Sequence, residues 1–199
     1  MMADMRYTAA PSGSAQQPSS TGGCGMAVLL LALGMLFAAS LAFFILLRLR
    51  AEKWPPPGVP SLPALFWLSS GLLIASSFTM HGAQRAARGE RRQPLRAYLV
   101  ATMALGLLFL ANQAFCWLPL ISASVTIQTN LFMLAFLMLA VLHGLHVIGG
   151  LIPLGASIAA TAGGRYSLGT VAAVQHLATY WHFLDAVWLT IFITLLVAF

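Results

Sequence analysis

Five long apolar segments occupy most of this 199-residue chain. Each is near or above the ~20 residues that span a bilayer as an α-helix. The chain is only 7% charged, whereas a soluble domain carries about 25% charged residues. None of the segments alternates as a barrel strand must, and open sheet edges do not occur in lipid. The sequence therefore predicts an all-α membrane protein, a bundle of five transmembrane helices at about 26–47, 62–80, 97–120, 130–158 and 171–199.

The first 25 residues differ in composition from everything that follows. They are rich in Ser, Gly, Gln and Pro, a composition that cannot bury enough apolar surface to fold. We expect residues 1–25 to be a disordered cytoplasmic tail and residues 26–199 to form one transmembrane domain. Cys24 and Cys116 give neither a disulfide framework nor a paired redox motif.

The net charge of +6 is concentrated on one side of the predicted bundle. With five spans, seven basic residues fall on the side of the N-terminus and three on the other, which predicts a cytoplasmic N-terminus and an external C-terminus. A hydrophilic loop at 81–96 carries most of the seven. We expect this loop to meet anionic lipid headgroups rather than nucleic acid, with a pure orientation signal as the alternative. Its headgroup-facing residues are Arg85, Arg88, Arg91 and Arg92.

Two histidine-bearing pairs lie near the centres of the last two apolar segments. His143 and His146 are three residues apart, as are His182 and Asp185, so each pair projects from one helix face. The two pairs have similar depth on consecutive helices, so we expect them to face one another. A central Asp costs about 2.5–3.5 kcal/mol on insertion scales, so residues of this kind bind something or fasten helices together.

Three interpretations of these residues compete. Haem or metal ligation suits histidine, but a di-iron site would need glutamates that no predicted helix contains. A proton relay suits His and Asp, but the first two helices offer no ionisable group to continue it. In the third, the side chains hydrogen-bond between helices, each contact contributing about 0.6–2 kcal/mol. We favour the third, with no catalytic or metal-binding residue and a polar network of His143, His146, His182, Asp185 and Gln175.

The two motifs around these residues carry a family resemblance. They are His143-Gly-Leu-His-Val147 and Tyr180-Trp-His-Phe-Leu-Asp-Ala-Val-Trp188, supported by Trp54-Pro-Pro-Pro-Gly58 and Leu68-Ser-Ser-Gly71. Over about 26–199 the chain resembles subunit III of the haem-copper oxidases, the cytochrome c and quinol oxidase family, in its short five-helix form.

The resemblance implies an accessory subunit of an aerobic terminal oxidase in a prokaryotic plasma membrane. Such a subunit carries no cofactor, since haem and copper belong to partner subunits. It packs against the catalytic subunit I, with subunit II in the same complex, and binds phospholipid in a cleft between helix groups. It also supports proton uptake.

Three positions depart from the family pattern. Leu41, Gln175 and Cys116 stand where the family often has carboxylates, which leaves open any acidic role in proton uptake or lipid gating. Two alternatives therefore stay open. One is a subunit III-like paralogue of another membrane complex such as a nitric oxide reductase. The other is a small integral haem- or metal-binding membrane protein that uses His143, His146 and His182.

Overall fold

A computed structural model describes residues 21–51, 65–122, 131–163 and 168–198, and every regular element in these ranges is an α-helix. Most of the predicted N-terminal tail and the Trp54-Pro-Pro-Pro-Gly58 link lie outside the described residues. The five helices are α1 (Thr21–Arg50), α2 (Leu65–Arg88), α3 (Arg92–Ser122), α4 (Leu131–Ala162) and α5 (Leu168–Ala198).

The helices extend beyond their apolar segments, and this corrects two predicted boundaries. Helix α1 begins at Thr21, so residues 21–25 are helical rather than part of the tail. The hydrophilic loop predicted at 81–96 is also mostly helix, because α2 continues to Arg88 and α3 begins at Arg92. Arginine and glutamine are good helix formers, so a fall in hydropathy marks the edge of the membrane and not the end of the helix.

A tight turn of three residues joins α2 to α3. The Arg91 amide donates to the Ala86 carbonyl at 3.0 Å, and the Gly89 amide donates to the Arg85 carbonyl at 3.0 Å. The first of these is the six-to-one bond of a Schellman helix end. Glu90 holds the left-handed position with φ 54°. The turn satisfies the last carbonyls of α2 and fixes α3 antiparallel to it.

Helices α2 to α5 form a closed ring, since α2 packs on α3, α3 on α4, α4 on α5 and α5 on α2. Neighbours in the ring are antiparallel. For example, Ser70 and Ser76 of α2 bond to Trp188 and Trp181 of α5 respectively. The start of α1, the α2–α3 turn and the start of α5 consequently share one end of the bundle.

Helix α1 lies outside the ring and contacts only α4 and α5 among the described helices. It runs parallel to α5, with Gly34 beside Phe183. Two aromatic side chains, Phe37 and Phe44, are its buried anchors. The ring of Phe37 lies 5.2 Å from that of His146 on α4. The rest of α1 is largely exposed, so it is an addition to the four-helix core and not a part of it.

Four of the five helices are long and apolar enough to span a membrane, judged by length and composition: Gly23–Arg50, Arg92–Trp117, Leu134–Ala162 and Val171–Val197. Helix α2 falls short because its sequence carries serine pairs and ends in charged residues. The outer surface is rich in large exposed apolar side chains such as Leu31, Phe115 and Ile152. A surface of this kind suits lipid as its surroundings and not water.

The left-handed residue of the α2–α3 turn gives a direct test of its geometry. Glu90→Gly removes the Cβ that disfavours φ 54° and should raise the free energy of unfolding by about 0.5–1 kcal/mol. Unfolding in mixed micelles by titration with sodium dodecyl sulfate measures the change. Glu90→Ala is the matched control, since it removes the carboxylate but keeps the Cβ. An equal gain in both variants would contradict the backbone explanation.

Candidate functional site

The serine pairs of α2 lie on one face of that helix. Ser69-Ser70 and Ser76-Ser77 recur after seven residues, about two helical turns. The hydroxyl of Ser70 donates to the Phe66 carbonyl at 3.0 Å, and that of Ser76 donates to the Leu73 carbonyl at 2.8 Å. Each donor is thus satisfied within α2, and the oxygen lone pairs stay free to accept hydrogen bonds from neighbouring helices.

Two tryptophans of α5 supply those hydrogen bonds. Trp181 Nε1 donates to Ser76 Oγ at 3.0 Å, and Trp188 Nε1 donates to Ser70 Oγ at 3.1 Å. Both indoles are fully buried, and they too are seven residues apart. An indole N–H buried without an acceptor would be costly, so the two bonds fix the register of α5 against α2.

The Trp181 indole also fills the space between α3 and α4. A Cβ on Gly106 of α3 would lie 3.1 Å from the indole Cη2, and one on Gly150 of α4 would lie 3.3 Å from Cζ3. The ring therefore passes between two helices at positions where no side chain fits. Together with its bond to Ser76, this single side chain of α5 touches α2, α3 and α4.

Helices α2 and α3 are joined by a second set of polar contacts. The hydroxyl of Ser69 accepts from Asn112 Nδ2 at 2.6 Å and from Gln113 Nε2 at 3.0 Å. Further along the pair, the hydroxyls of Thr79 and Thr102 lie 2.8 Å apart. These interhelical contacts centre on α2 hydroxyls, and none of their residues belongs to the predicted polar network.

His143 is fully buried in an aromatic shell. Its ring centroid lies 5.3 Å from Trp188, 5.7 Å from Phe109 and 6.2 Å from Phe37. Neither ring nitrogen finds a hydrogen-bond partner among the described residues. In this position His143 acts as a flat packing group that touches α1, α3 and α5, and it does not bond to His182 or Asp185.

His146 is bound to its own helix. Its Nδ1 lies 2.7 Å from the Leu142 carbonyl, and since a carbonyl only accepts, that nitrogen carries the proton. The Tyr180 hydroxyl of α5 donates to the His146 carbonyl at 2.9 Å. The link between α4 and α5 at this level therefore runs through the backbone of His146 and not through its imidazole.

His182 and Asp185 turn towards α2 instead of α4. The Ser77 hydroxyl of α2 and His182 Nδ1 are hydrogen-bonded at 2.8 Å. The same nitrogen lies 4.0 Å from Asp185 Oδ2. Ser77 is also a polar neighbour of the Asp185 carboxyl group, although neither carboxyl oxygen makes a well-formed hydrogen bond in the part of the chain that is described. The expected arrangement, with the two His-containing pairs facing one another, is thus replaced by one pair against aromatic rings and one against α2. The orientation of α5 about its own axis explains the difference, since residues 181 and 188 occupy its core-facing side.

Gln175 and the two other substituted positions lie apart from these contacts. Gln175 is half-buried near the start of α5. Its backbone carbonyl accepts a hydrogen bond from the Thr179 hydroxyl at 3.0 Å. Cys116 is buried in the hydrophobic core, and Leu41 is a half-buried residue at the margin of that core. The described structure therefore gives no contact that joins Gln175 to His143, His146 or His182.

The three histidines do not converge on a common ligand position. One is enclosed by aromatic rings, one is bonded to its own helix, and one is bonded to α2. Across the described ranges, no group of three or more His, Cys, Asp and Glu side chains is placed to hold a metal ion.

The basic residues gather around the α2–α3 turn. Arg85 and Arg88 lie in the last turn of α2, Arg91 lies in the connection, and Arg92 begins α3. Arg85, Arg88, Arg91 and Arg92 are all exposed, and Arg92 also interacts with another residue. The four arginines therefore lie on two adjoining helix ends and the short turn between them, which limits the distances between them.

Comparison with known proteins assigns the chain to a protein family. The family described as "Cytochrome c oxidase subunit III" matches residues 10–198, which is nearly the whole chain. The chain belongs to the cytochrome c oxidase subunit III family. The resemblance seen in the two histidine motifs is thereby confirmed.

Individual members of the family agree with this assignment. The chain is 34% identical over 171 residues to "Cytochrome c oxidase subunit 3" of Synechocystis sp., covering 85% of this chain and 72% of that protein. It is 31% identical over 169 residues to the protein of the same name from Thermostichus vulcanus, covering 84% and 83%. The "Probable cytochrome c oxidase subunit 3" of Mycobacterium leprae is 34% identical over 160 residues, covering 79% and 78%.

Sequence reasoning missed the main fasteners, although a signal was present. The serine pairs repeat after seven residues in α2, and two tryptophans repeat after seven in α5. Matching repeats of acceptors and N–H donors on two helices indicate a shared face.

Glycine substitutions test the packing around Trp181. Gly106→Ala places a Cβ 3.1 Å from both Leu151 Cδ2 and the Trp181 ring, and that indole is fully buried. We expect a loss of about 1–3 kcal/mol in unfolding free energy. Gly71→Ala is the matched control, since its Cβ meets nothing within 4 Å, and it should gain up to about 1 kcal/mol from helix propensity. Unfolding in mixed micelles measures both, and equal effects would refute the packing argument.

Proposed function

We propose that this chain is the non-catalytic subunit III of an aerobic terminal haem-copper oxidase. The observation that carries the proposal is the family match over residues 10–198, combined with a structure that uses its buried polar side chains for helix contacts. On this proposal haem and copper belong to partner subunits, which transfer electrons to oxygen and move protons. This chain stabilises them and supports proton uptake.

The proposed partner is the catalytic subunit I, with subunit II in the same complex. The face of α5 that carries His182 and Asp185 supports such a contact. The His182 side chain is 36% exposed at mid-helix, and the nearby Asp185 carboxylate has no hydrogen-bond partner within the described ranges. Ionisable groups at mid-membrane rarely face lipid, so a second polypeptide on this face would give the part-exposed His182 ring a favourable environment, with the buried Asp185 carboxyl 4.0 Å behind it.

The proposed topology has five membrane spans, with the N-terminus inside and the end of α5 outside. Helix α2 is included because the serines that lower its hydropathy are bonded to its own carbonyls and to α3 and α5. Arg85, Arg88, Arg91, Arg92 and Arg96 lie at the end that contains the start of α1, whereas Arg48 and Arg50 lie at the other. That excess favours a cytoplasmic location for the α2–α3 turn in a prokaryotic plasma membrane.

Phospholipid is the further proposed partner, and the flanks of α1 supply sites for acyl chains. A cavity of about 380 Å³ lies between α1, α4 and α5, with Leu29, Leu33 and Leu177 in its lining. A second of about 480 Å³ lies between the far ends of α1 and α5. Both are mainly apolar grooves between a loosely attached helix and the four-helix ring. The domain proposed for this role is the single unit 26–199.

The proposed function is tested by purifying the complex from its native membrane through a tag on this chain. We expect a haem-copper catalytic subunit to copurify in fixed ratio. Asp185→Ala should reduce the recovered partner severalfold, while turnover per assembled complex changes little. Thr190→Ala is the control, since this exposed hydroxyl of α5 bonds only its own helix at 2.8 Å. Recovery of the tagged chain without any haem-copper subunit would reject the proposal.

A native cysteine tests the topology. Cys24 is exposed near the start of α1, and Cys116 is buried, so a thiol reagent should report the first and not the second. With the N-terminus inside, a membrane-impermeant maleimide should label Cys24 in inverted vesicles but not in intact cells. Cys24→Ser should abolish that labelling. Labelling of Cys24 from outside intact cells would reverse the proposed orientation.

A further inference from the structure

An open cavity of about 540 Å³ lies at the α2–α3 turn, and the helix-fastening contacts do not use it. Its lining combines three cationic or ionisable side chains, His81, Arg85 and Arg91, with the aromatic rings of Phe78 and Tyr98. We propose that this cavity is a discrete binding site for the phosphodiester headgroup of an anionic phospholipid. The inference rests on the proposed membrane span of α2, since it needs the turn to lie at the membrane surface.

Charge and donor geometry favour a phosphate group. Arg85 and Arg91 approach the cavity from two different elements, the last turn of α2 and the connection to α3. A guanidinium presents N–H donors in a planar fork that matches phosphate oxygens in pairs. The Tyr98 hydroxyl and the His81 ring add hydrogen-bonding groups to the same lining. Basic cavities between membrane helices on the cytoplasmic side commonly bind lipid phosphates.

The backbone around the cavity is arranged to tolerate an anion. The last carbonyls of α2 would repel a phosphate, but those of Arg85, Ala86 and Ala87 accept hydrogen bonds from the turn at 3.0–3.3 Å. The opposite wall is the first turn of α3, where Pro94 lines the cavity. The amino end of a helix carries partial positive charge. The turn therefore satisfies three carbonyls near the end of α2, and the first turn of α3 supplies the opposite wall of the cavity.

The shape of the cavity depends on a close contact between its two walls. A Cβ on Gly82 of α2 would lie 2.8 Å from the Tyr98 ring of α3, so the ring packs directly against the helix backbone. Tyr98 is 42% exposed and Phe78 is 72% exposed. Below them, one turn deeper into the proposed membrane, Ile74 is exposed as well. These apolar surfaces continue from the cavity in the direction that acyl chains take.

A discrete binding site and diffuse electrostatic attraction can be distinguished by the arginines on which lipid affinity depends. Arg88 lies in the same last turn of α2 and is exposed, yet it is not among the residues that line the cavity. Diffuse attraction to an anionic surface would count Arg85, Arg88 and Arg91 equally. A headgroup seated in the cavity would depend on Arg85 and Arg91 and not on Arg88.

The experiment titrates the purified, delipidated full-length chain in detergent with phosphatidylglycerol and counts bound lipid by native mass spectrometry. We expect one tight equivalent, weakened about tenfold by Arg85→Gln or Arg91→Gln through loss of charge-assisted hydrogen bonds. Arg88→Gln should change the affinity less than about twofold. Gly82→Ala, which displaces Tyr98 without altering charge, should also weaken binding. Circular dichroism confirms that each variant keeps its helices.

Competition identifies the source of the phosphate. Phosphatidylcholine should bind more weakly than phosphatidylglycerol, and millimolar inorganic phosphate should not displace the lipid. Equal loss of affinity in Arg85→Gln, Arg88→Gln and Arg91→Gln would overturn the discrete site, as would equal binding of phosphatidylcholine. Displacement by inorganic phosphate would assign the cavity to a free anion instead. Because binding is measured on the isolated chain, a failure of oxidase assembly in the copurification experiment would leave this result unaffected.

Discussion

The bundle depends on one side chain, the indole of Trp181. Helices in lipid gain little from burying apolar surface, since acyl chains are as apolar as leucine. Close packing and hydrogen bonds must supply the specificity instead. Trp181 provides both, because its N–H bonds to Ser76 of α2 while its ring lies against Gly106 of α3 and Gly150 of α4. Trp188 repeats the pattern two turns further along α5 with Ser70 as its acceptor, so the ring of four helices has a single register.

This mode of fastening explains how a helix of modest hydropathy can belong to a membrane bundle. The hydroxyls that make α2 polar are satisfied at short range by its own carbonyls and by donors from α3 and α5. A polar group costs little in lipid once its hydrogen bonds are made. Hydropathy scores the side chain before those bonds form, so on the proposed five-span topology it underestimates how well α2 suits the membrane. The helix that looks least suited to the membrane is thus the one that holds its neighbours together.

Sequence reasoning predicted the five helices, since long apolar runs have one stable form in lipid. It failed at the α2–α3 connection, because a Schellman turn with glutamate in the left-handed position leaves no glycine or proline signal at that residue. It also placed His143 opposite His182. Spacing shows which residues share a face of one helix, but the rotation of that helix against its neighbours is set by packing, here by the Trp181 contacts. The seven-residue spacing of the serine pairs in α2 and of the two tryptophans in α5 could have predicted the hydroxyl–indole hydrogen bonds. No sequence pattern indicates the aromatic rings around His143.

His182 and Asp185 link this packing to the proposed assembly. The Asp185 oxygens make no well-formed hydrogen bond within the described residues, and the carboxyl group is buried beside His182. A group in this state lowers the stability of the chain, and because its oxygens are inaccessible, a partner could contact this pair only through the part-exposed His182 ring. The four-helix ring is stabilised from within by neutral hydroxyls and indoles, which need no partner protein. His182 lies at the exposed margin of the same α2–α5 contact, bonded to Ser77 beside the Ser76–Trp181 pair. On the proposed function, a partner subunit that covers this ring would therefore make the assembled complex the more stable state.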